Sequence, residues 1–155
     1  MEEFKLLVNA AYFKKFTGVN QAIDESLLAP AIYTAQISDI EPILGEDLYN
    51  DMFAENINGA KKTLLDKHVR PTLCYYTLHS VLPTISKRVG AGGVYKSAPT
   101  NADSGTDYDN SFLRKKALLT AEKLAKKMLT FAIDNNLIEG CKNSDDVKPF
   151  FGIHI

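Results

Sequence analysis

The sequence predicts an all-α fold, a compact antiparallel helical bundle formed by one domain that spans residues 1–155. Apolar residues recur at intervals of three and four through most of the chain, as they do on the buried side of an amphipathic helix. Two of these segments, 61–89 and 112–135, are long enough to be the central helices of a bundle. Hydrophobic residues make up 45% of the chain and charged residues 24%, which is ordinary for one globular domain with a sizeable core.

Two short helices are predicted near the N-terminus. Asn9 is a candidate N-cap for a helix over 10–16, and Gly18 is a candidate residue to end it. Ser26 is expected to cap a second helix that begins at the next residue. Pro30 would then lie in the first turn, where its missing N–H group costs little.

Two further short helices are predicted before the central ones. The sequence Ser38-Asp-Ile-Glu41 has the form of a capping box and predicts a helix that Gly45 closes. A fourth helix is predicted over 46–55, where apolar residues again follow the helical period.

The two central helices carry most of the predicted core. Pro71 and Pro83 each remove a backbone hydrogen bond from the helix over 61–89, so kinks or a break are expected there. In the helix over 112–135, basic residues are expected largely on the side opposite the core. Its predicted buried side consists of Leu113, Ala117, Leu119, Ala121, Leu124, Met128, Phe131 and Ala132.

Two segments do not fit the helical pattern. Residues 90–110 contain four glycines and no long apolar run, and such long polar connections are uncommon inside compact domains. We expect a protruding loop, with a β-ribbon around Val94–Tyr95, that a partner orders on binding; the alternative is a slack surface loop. Residues 138–155 are expected to form an extended tail, which packs back on the domain or inserts into a neighbour.

Charge is segregated along the chain, although eighteen basic and nineteen acidic residues nearly balance. The segment 17–60, called here the acidic segment, contains eight acidic residues and no lysine or arginine. Eighteen basic and eleven acidic residues are left for the rest of the chain. Opposite charges on separate surfaces favour head-to-tail association between copies of one subunit. The alternative is that each charged surface is simply a solvated face.

The sequence predicts neither enzymatic activity nor a cofactor or metal site. His68 and His79 lie about three helical turns apart, too far to share a metal ion. The glycines of 90–97 lack the spacing of a phosphate-binding loop. Cys74 lies in an apolar run and is most simply a small buried hydrophobe in a reducing compartment. No apolar run approaches a membrane span, and the first residues lack a signal-peptide pattern.

Three stretches of the chain resemble the small helical head–tail connector proteins of tailed bacteriophages, also called adaptor, head-completion or ring proteins. The first stretch is residues 19–53, where a helix leads through Gly45 into a second one. The second is residues 69–94, a proline-containing helix that opens into a glycine-containing loop. The third is the long helix from Phe112. Connectors of crAss-like phages are similar in overall pattern.

The resemblance implies a structural virion protein at the head–tail interface, made in the bacterial host cytoplasm. It implies a homomeric ring, twelve-fold in the family, that joins the portal protein to the next tail component and touches the genomic DNA non-specifically in its channel. The predicted partner-binding residues are Val94, Tyr95, Lys96, Tyr108, Phe150, Phe151, Ile153 and Ile155. The predicted electrostatic contacts between subunits involve Glu46, Asp47, Asp51, Arg114, Lys115, Lys123, Lys126 and Lys127.

A second hypothesis is a helical DNA-binding module that acts through the basic helix 114–127. Its positive charges suit phosphate attraction, but the sequence interleaves no aromatic residues among them as a stacking surface.

Overall fold

The computed structural model describes residues 4–19, 23–85, 87–90, 93–96 and 107–138, which are mostly helical as predicted. Two π-helical turns join successive helices: Gln36–Ile40 connects α2 to α3, and Leu65–Val69 connects α5 to α6. In chain order, the elements are α1 (Ala10–Thr17), α2 (Glu25–Ala35), α3 (Glu41–Leu44), α4 (Glu46–Asp51), α5 (Gly59–Leu64), α6 (Arg70–Ile85), β1 (Lys87–Gly90), β2 (Gly93–Lys96) and α7 (Asp107–Asp134).

Helices α6 and α7 are antiparallel, as predicted for the central pair. His79, near the end of α6, lies beside Arg114, near the start of α7. At the other end, the ring of His68 in the π turn before α6 stacks on Phe131, with centroids 4.6 Å apart. The contact between α6 and α7 is the most extensive between any two described elements, and α6 also packs against α1 and α2.

The core forms where the other helices cover α6. Among the described residues, fourteen core side chains have no more than 2% of their surface exposed, which is the state that contributes most to hydrophobic stabilisation. They are Phe13, Leu28, Ile32, Ala35, Ile40, Leu44, Leu64, Val69, Leu73, Cys74, Tyr76, Ala121, Met128 and Ala132.

A buried glutamine ties the N-terminal segment to this core. The Gln36 side chain is fully buried, and its Oε1 accepts a hydrogen bond of 2.8 Å from the backbone N–H of Leu7. Its Nε2 donates to the backbone carbonyl of Lys5 at 3.0 Å and to the Tyr49 hydroxyl at 2.7 Å. Arg70 adds a hydrogen bond from Nε to the carbonyl of Leu7 at 3.1 Å. Residues 5–7 are therefore held by side chains from two separate elements, the first π turn and α6.

The start of α1 is as predicted, whereas the start of α2 is not. Asn9 caps α1, since its Oδ1 accepts from the Tyr12 N–H at 2.8 Å, and Gly18 ends the helix with φ 70°. Helix α2 is capped by Asp24 and not by Ser26, because the Asp24 carboxylate accepts the Ser26 N–H at 2.8 Å. Pro30 consequently lies in the middle of α2 and not in its first turn.

The capping box predicted at 38–41 is replaced by the first π turn. The chain continues without a side-chain cap, and the N–H of Glu41 bonds to the carbonyl of Gln36, five residues back. The second π turn is the same, with the N–H of Arg70 bonded to the carbonyl of Leu65. Gly45, with φ 79°, then separates α3 from α4, and α4 ends at 51, earlier than the predicted 55.

A proline follows the residue that makes the last hydrogen bond of each π turn: Pro42 follows Glu41, and Pro71 follows Arg70. In a regular α-helix, a proline ring crowds the carbonyl four residues earlier. A π turn widens the helix just before the ring and relieves this crowding. The predicted disturbance at Pro71 is therefore a widened turn and not a break, and Pro83 lies in the last turn of α6.

The connection between the two central helices lies earlier in the chain than the predicted 90–110. Helix α6 ends at Ile85, and β1 and β2 pair antiparallel from Lys87 with Lys96 to Gly90 with Gly93. The predicted ribbon is thus present and begins before residue 90. Helix α7 begins at 107, not 112, so the last residues of the predicted loop belong to its first turn.

The thiol of Cys74 in α6 is expected to be inert in the folded protein. It is fully buried, and burial raises the pKa of this thiol to about 12. Only the thiolate reacts readily with disulfide reagents. In a Cys141→Ser variant, we expect Ellman's reagent at pH 8 to leave the folded chain unmodified for hours and to modify one thiol in urea. Reaction of the folded chain within minutes would contradict the buried placement.

Candidate functional site

One side of α7 is strongly basic. At about 100° per residue, five lysines fall on the side opposite the buried residues Ala121 and Ala125. All five are exposed: Lys115, Lys116, Lys123, Lys126 and Lys127. We call this surface the basic face. The prediction that the lysines lie largely opposite the core is confirmed.

Two large apolar side chains lie among these lysines. Phe112 is 58% exposed and Leu119 is 48% exposed, and the two are separated by about two helical turns. Leu119 was predicted to be buried, and that prediction is wrong because it lies about 160° around the helix from Ala121. Leu113, also predicted to be buried, is 47% exposed. Exposed apolar residues within a charged surface are typical of protein interfaces.

Arg114 does not belong to the basic face. It points toward α6, where its Nε donates to the backbone carbonyl of His79 at 3.4 Å. In return, Nδ1 of His79 lies 3.0 Å from the carbonyl of Arg114. These contacts fix the first turns of α7 against α6, so Arg114 positions the helix and is separate from the lysine cluster that the sequence grouped it with.

The acidic segment exposes several carboxylates on and near α4. Glu46 and Asp47 are exposed in the first turn of α4, where the helix dipole favours negative charge. Asp51 forms an ion pair of 2.6 Å with Lys61 of the same chain, and both side chains are nearly half exposed. Such exposed pairs contribute about 0–1 kcal/mol, so the pair leaves Asp51 available for other contacts. Two large apolar residues are also exposed on this segment, Leu27 at 39% and Ile37 at 40%.

An apolar groove lies between α6 and the start of α7. Its volume is about 210 Å³, and Leu78 and Leu82 of α6 face Leu113 and Ala117 of α7 across it. Tyr75 closes one side, and its ring makes an edge contact with Phe16 of α1 at a centroid distance of 6.0 Å. Lys116 and Thr120 complete the lining. Because Lys116 also belongs to the basic face, the groove and that face are continuous.

The surroundings of His68 indicate a structural role. His68 is partly buried against Phe131, and burial, with smaller effects of Lys67 and Lys127, lowers its pKa. A neutral, stacked imidazole fits packing better than acid–base chemistry. Within the described ranges, no three histidine, cysteine or acidic side chains lie close enough together to hold a metal ion.

Asp39 in the first π turn is expected to destabilise the fold when it is ionised. Burial raises the pKa of this carboxyl, and the nearby His79 offsets only part of the effect. A raised pKa means that the folded state favours the protonated form, so stability falls as pH rises above the ordinary value of 3.8. Asp39→Asn should therefore increase the free energy of unfolding at pH 7, and the gain should shrink toward pH 4.

Urea unfolding at the two pH values measures this effect. Glu55→Gln, at an exposed carboxylate outside any helix, is the matched control, and we expect it to change stability by less than about 0.5 kcal/mol. An Asp39→Asn variant that is less stable at pH 7 would show that the carboxylate stabilises the π turn instead.

Several predicted site residues fall where side chains are not described. Val94, Tyr95 and Lys96 form the backbone of β2, opposite Val89, Arg88 and Lys87 of β1. Tyr108 lies in the first turn of α7. The predicted anchors Phe150, Phe151, Ile153 and Ile155 lie outside the described residues. Their proposed role in partner binding stays a prediction.

The sequence was compared with known proteins. A family model described as a family of unknown function, DUF6712, matches residues 40–150. The curated proteins and the solved structures contain no significant match to the chain. Within the described part of the chain, no helix combines the length and apolar character that a membrane crossing requires.

Proposed function

We propose that this chain, which belongs to the DUF6712 family of unknown function, is a non-enzymatic structural virion protein that forms a ring between portal and tail. The observation that carries the proposal is the segregation of opposite charge into two parts of the chain, each of which exposes large apolar residues. The basic face carries Phe112 and Leu119, and the acidic segment carries Leu27 and Ile37. Two unlike surfaces on one subunit produce a head-to-tail contact, which closes into a ring when the rotation permits.

The apolar residues supply most of the expected affinity. Burying a fully exposed leucine, isoleucine or phenylalanine side chain contributes about 1.5–3 kcal/mol, and these four side chains, 39–58% exposed, have about half of that to gain. Exposed ion pairs contribute less than about 1 kcal/mol each, and they mainly steer and orient the partners. A contact built from both is suited to specific association between copies, and DNA passing through such a ring would meet only non-specific charge.

Charge reversal on the basic face tests the proposal. We expect Lys123→Glu, Lys126→Glu and Lys127→Glu together to abolish ring formation, with or without portal protein, because like charges would then face each other. Negative-stain electron microscopy and sedimentation velocity measure the loss, and circular dichroism checks the fold. The control reverses three exposed lysines elsewhere, Lys5, Lys15 and Lys62. Rings that persist in the first variant, or vanish equally in the control, would contradict the role of the basic face.

A DNA-binding module is the second candidate, and the cluster of five exposed lysines favours it. Affinity should then fall steeply with salt, because binding releases counterions from the phosphates. A band-shift assay with the same charge-reversed variant separates the two functions. DNA binding lost together with ring formation would link the lysines to both functions, whereas absence of binding at low salt would dismiss the DNA-binding module.

A further inference from the structure

The connection between α4 and α5 exposes an asparagine whose side chain makes no hydrogen bond. Asn58 lies just before Gly59, the first residue of α5, and both residues are exposed. Asparagine at this position of a helix commonly accepts a backbone N–H, but the Asn58 side chain does not. No other group in the described part of the chain bonds to it. Its side-chain amide is therefore open to reaction.

The backbone nitrogen of Gly59 is equally free. Its N–H has no acceptor within the described ranges, as is usual in the first turn of a helix. Glycine has no Cβ atom, so this nitrogen is little hindered. Apart from its own helix and its neighbours in the chain, no heavy atom lies within 4 Å of the position that a Cβ atom would occupy. A reactive amide and an unhindered nitrogen are thus adjacent in the chain.

Other asparagines lack one or both of these features. Asn58 is the one asparagine in the sequence that precedes a glycine. Asn9 and Asn135 use their side chains in hydrogen bonds of 2.8 and 2.9 Å to the backbone. Asn56 is exposed, but the N–H of Ile57, which follows it, is donated to a backbone carbonyl at 3.3 Å. Exposure, free hydrogen-bonding groups and a following glycine therefore coincide at Asn58.

We propose that Asn58 is a site of spontaneous deamidation in the folded protein, since asparagine is a thermolabile residue type. The nitrogen of Gly59 gives its proton to a base in the solvent and attacks Cγ of Asn58. The bond from Cγ to Nδ2 breaks, and Nδ2 leaves as ammonia after taking a proton from the solvent. A succinimide ring remains.

Water then opens this ring at one of its two carbonyl carbons. Attack at Cγ gives aspartate, whereas attack at the main-chain carbonyl carbon gives isoaspartate. The net reaction consumes one water and releases one ammonia, without an oxidant or reductant. Both products place a carboxylate at position 58, so the acidic segment gains one acidic residue. Isoaspartate also adds a methylene group to the backbone where α5 begins. The inference goes beyond the proposed function and does not depend on it.

Peptide mapping of the full chain by mass spectrometry, after incubation at pH 8 and 37 °C, tests the proposal. The protease Asp-N cuts before aspartate and releases residues 51–65. It also cuts before an aspartate formed at position 58 but not before isoaspartate, so the two products are measured separately. Exposed segments open at almost no cost in free energy, so the rate should lie within about five-fold of that of a synthetic peptide of residues 54–63. A slower rate in the folded chain would overturn the proposal.

Two controls separate the effect of Gly59 from that of exposure alone. Asn56 lies in the same fragment and is also exposed, and we expect it to stay unmodified in the same samples. Asn58→Ser removes the amide, keeps a residue type that begins helices well and should yield neither product. Circular dichroism before incubation checks that both chains are folded. Equal reaction at positions 56 and 58, or the same products from Asn58→Ser, would contradict the assignment.

Discussion

Replacing Gln36 by leucine is expected to lower the free energy of unfolding by about 2–4 kcal/mol. The Gln36 side chain is fully buried and bonds to Leu7, Lys5 and Tyr49. Leucine has a similar size but no polar atoms, so several groups in and around the core would lose their partner at once. Each buried group left without a hydrogen bond costs about 1–3 kcal/mol. Urea unfolding followed by circular dichroism measures the change.

The Tyr49→Phe variant is a graded control for this prediction. It removes the Tyr49 hydroxyl and only one of the three hydrogen bonds of Gln36, so we expect a loss of about 1 kcal/mol. A Gln36→Leu variant no less stable than Tyr49→Phe would mean that water replaces the glutamine and that residues 5–7 are not held through it.

Replacing Phe13 by alanine is expected to cost about 3–5 kcal/mol, the usual range for a buried phenylalanine. Phe13 has no exposed surface and extends from α1 into the cluster around α6. Its removal forfeits the burial of the ring and leaves a cavity that the helices can fill only in part. Thermal and urea unfolding of the variant measure the loss.

Phe16 supplies a matched control on the same helix. Its side chain is 41% exposed. The centroid of its ring lies 5.9 Å from that of Tyr12 and 6.0 Å from that of Tyr75. We expect Phe16→Ala to cost about 1 kcal/mol, because an aromatic pair contributes about 0.5–1.5 kcal/mol and water already reaches the ring. Equal losses in the two variants would contradict the placement of α1.

Both predictions concern residues outside the matched family region, which begins at residue 40. Residues 4–39 nevertheless contribute Phe13, Leu28, Ile32 and Gln36 to the core, all without exposed surface. The matched region therefore shares one hydrophobic core with the segment before it. We infer that the N-terminal segment is part of the folding unit and not an appendage to it.

Local signals in the sequence are sufficient to predict much of this fold. The cap at Asn9, the left-handed Gly18 and the lysines on one side of α7 depend on neighbouring residues alone, and all three are as predicted. The two central helices were predicted from the length of their segments and the spacing of their apolar residues. Such features can be predicted locally because an α-helix has 3.6 residues per turn.

Leu119 was predicted to be buried because of its chemistry, although its angle on the helix, which residue spacing alone gives, places it among lysines. Features that depend on distant contacts, by contrast, were not predictable. Gln36 looks like a surface residue by its chemistry, but partners 13 to 31 residues away satisfy it in the core. For the candidate site, the lysines were predicted, whereas the groove needs two helices from distant parts of the chain.

The two π turns fix how the helix before each turn is rotated about its axis relative to the helix after it. Each turn contains one residue more than the same span of α-helix. In each, the first residue lies six positions before a proline: Gln36 before Pro42, and Leu65 before Pro71. Deleting one residue from Leu65–Val69 would allow regular α-helical bonds but rotate all that precedes it by about 100° relative to α6. Relatives that keep this fold should therefore tolerate substitutions inside these spans far better than a change in their length.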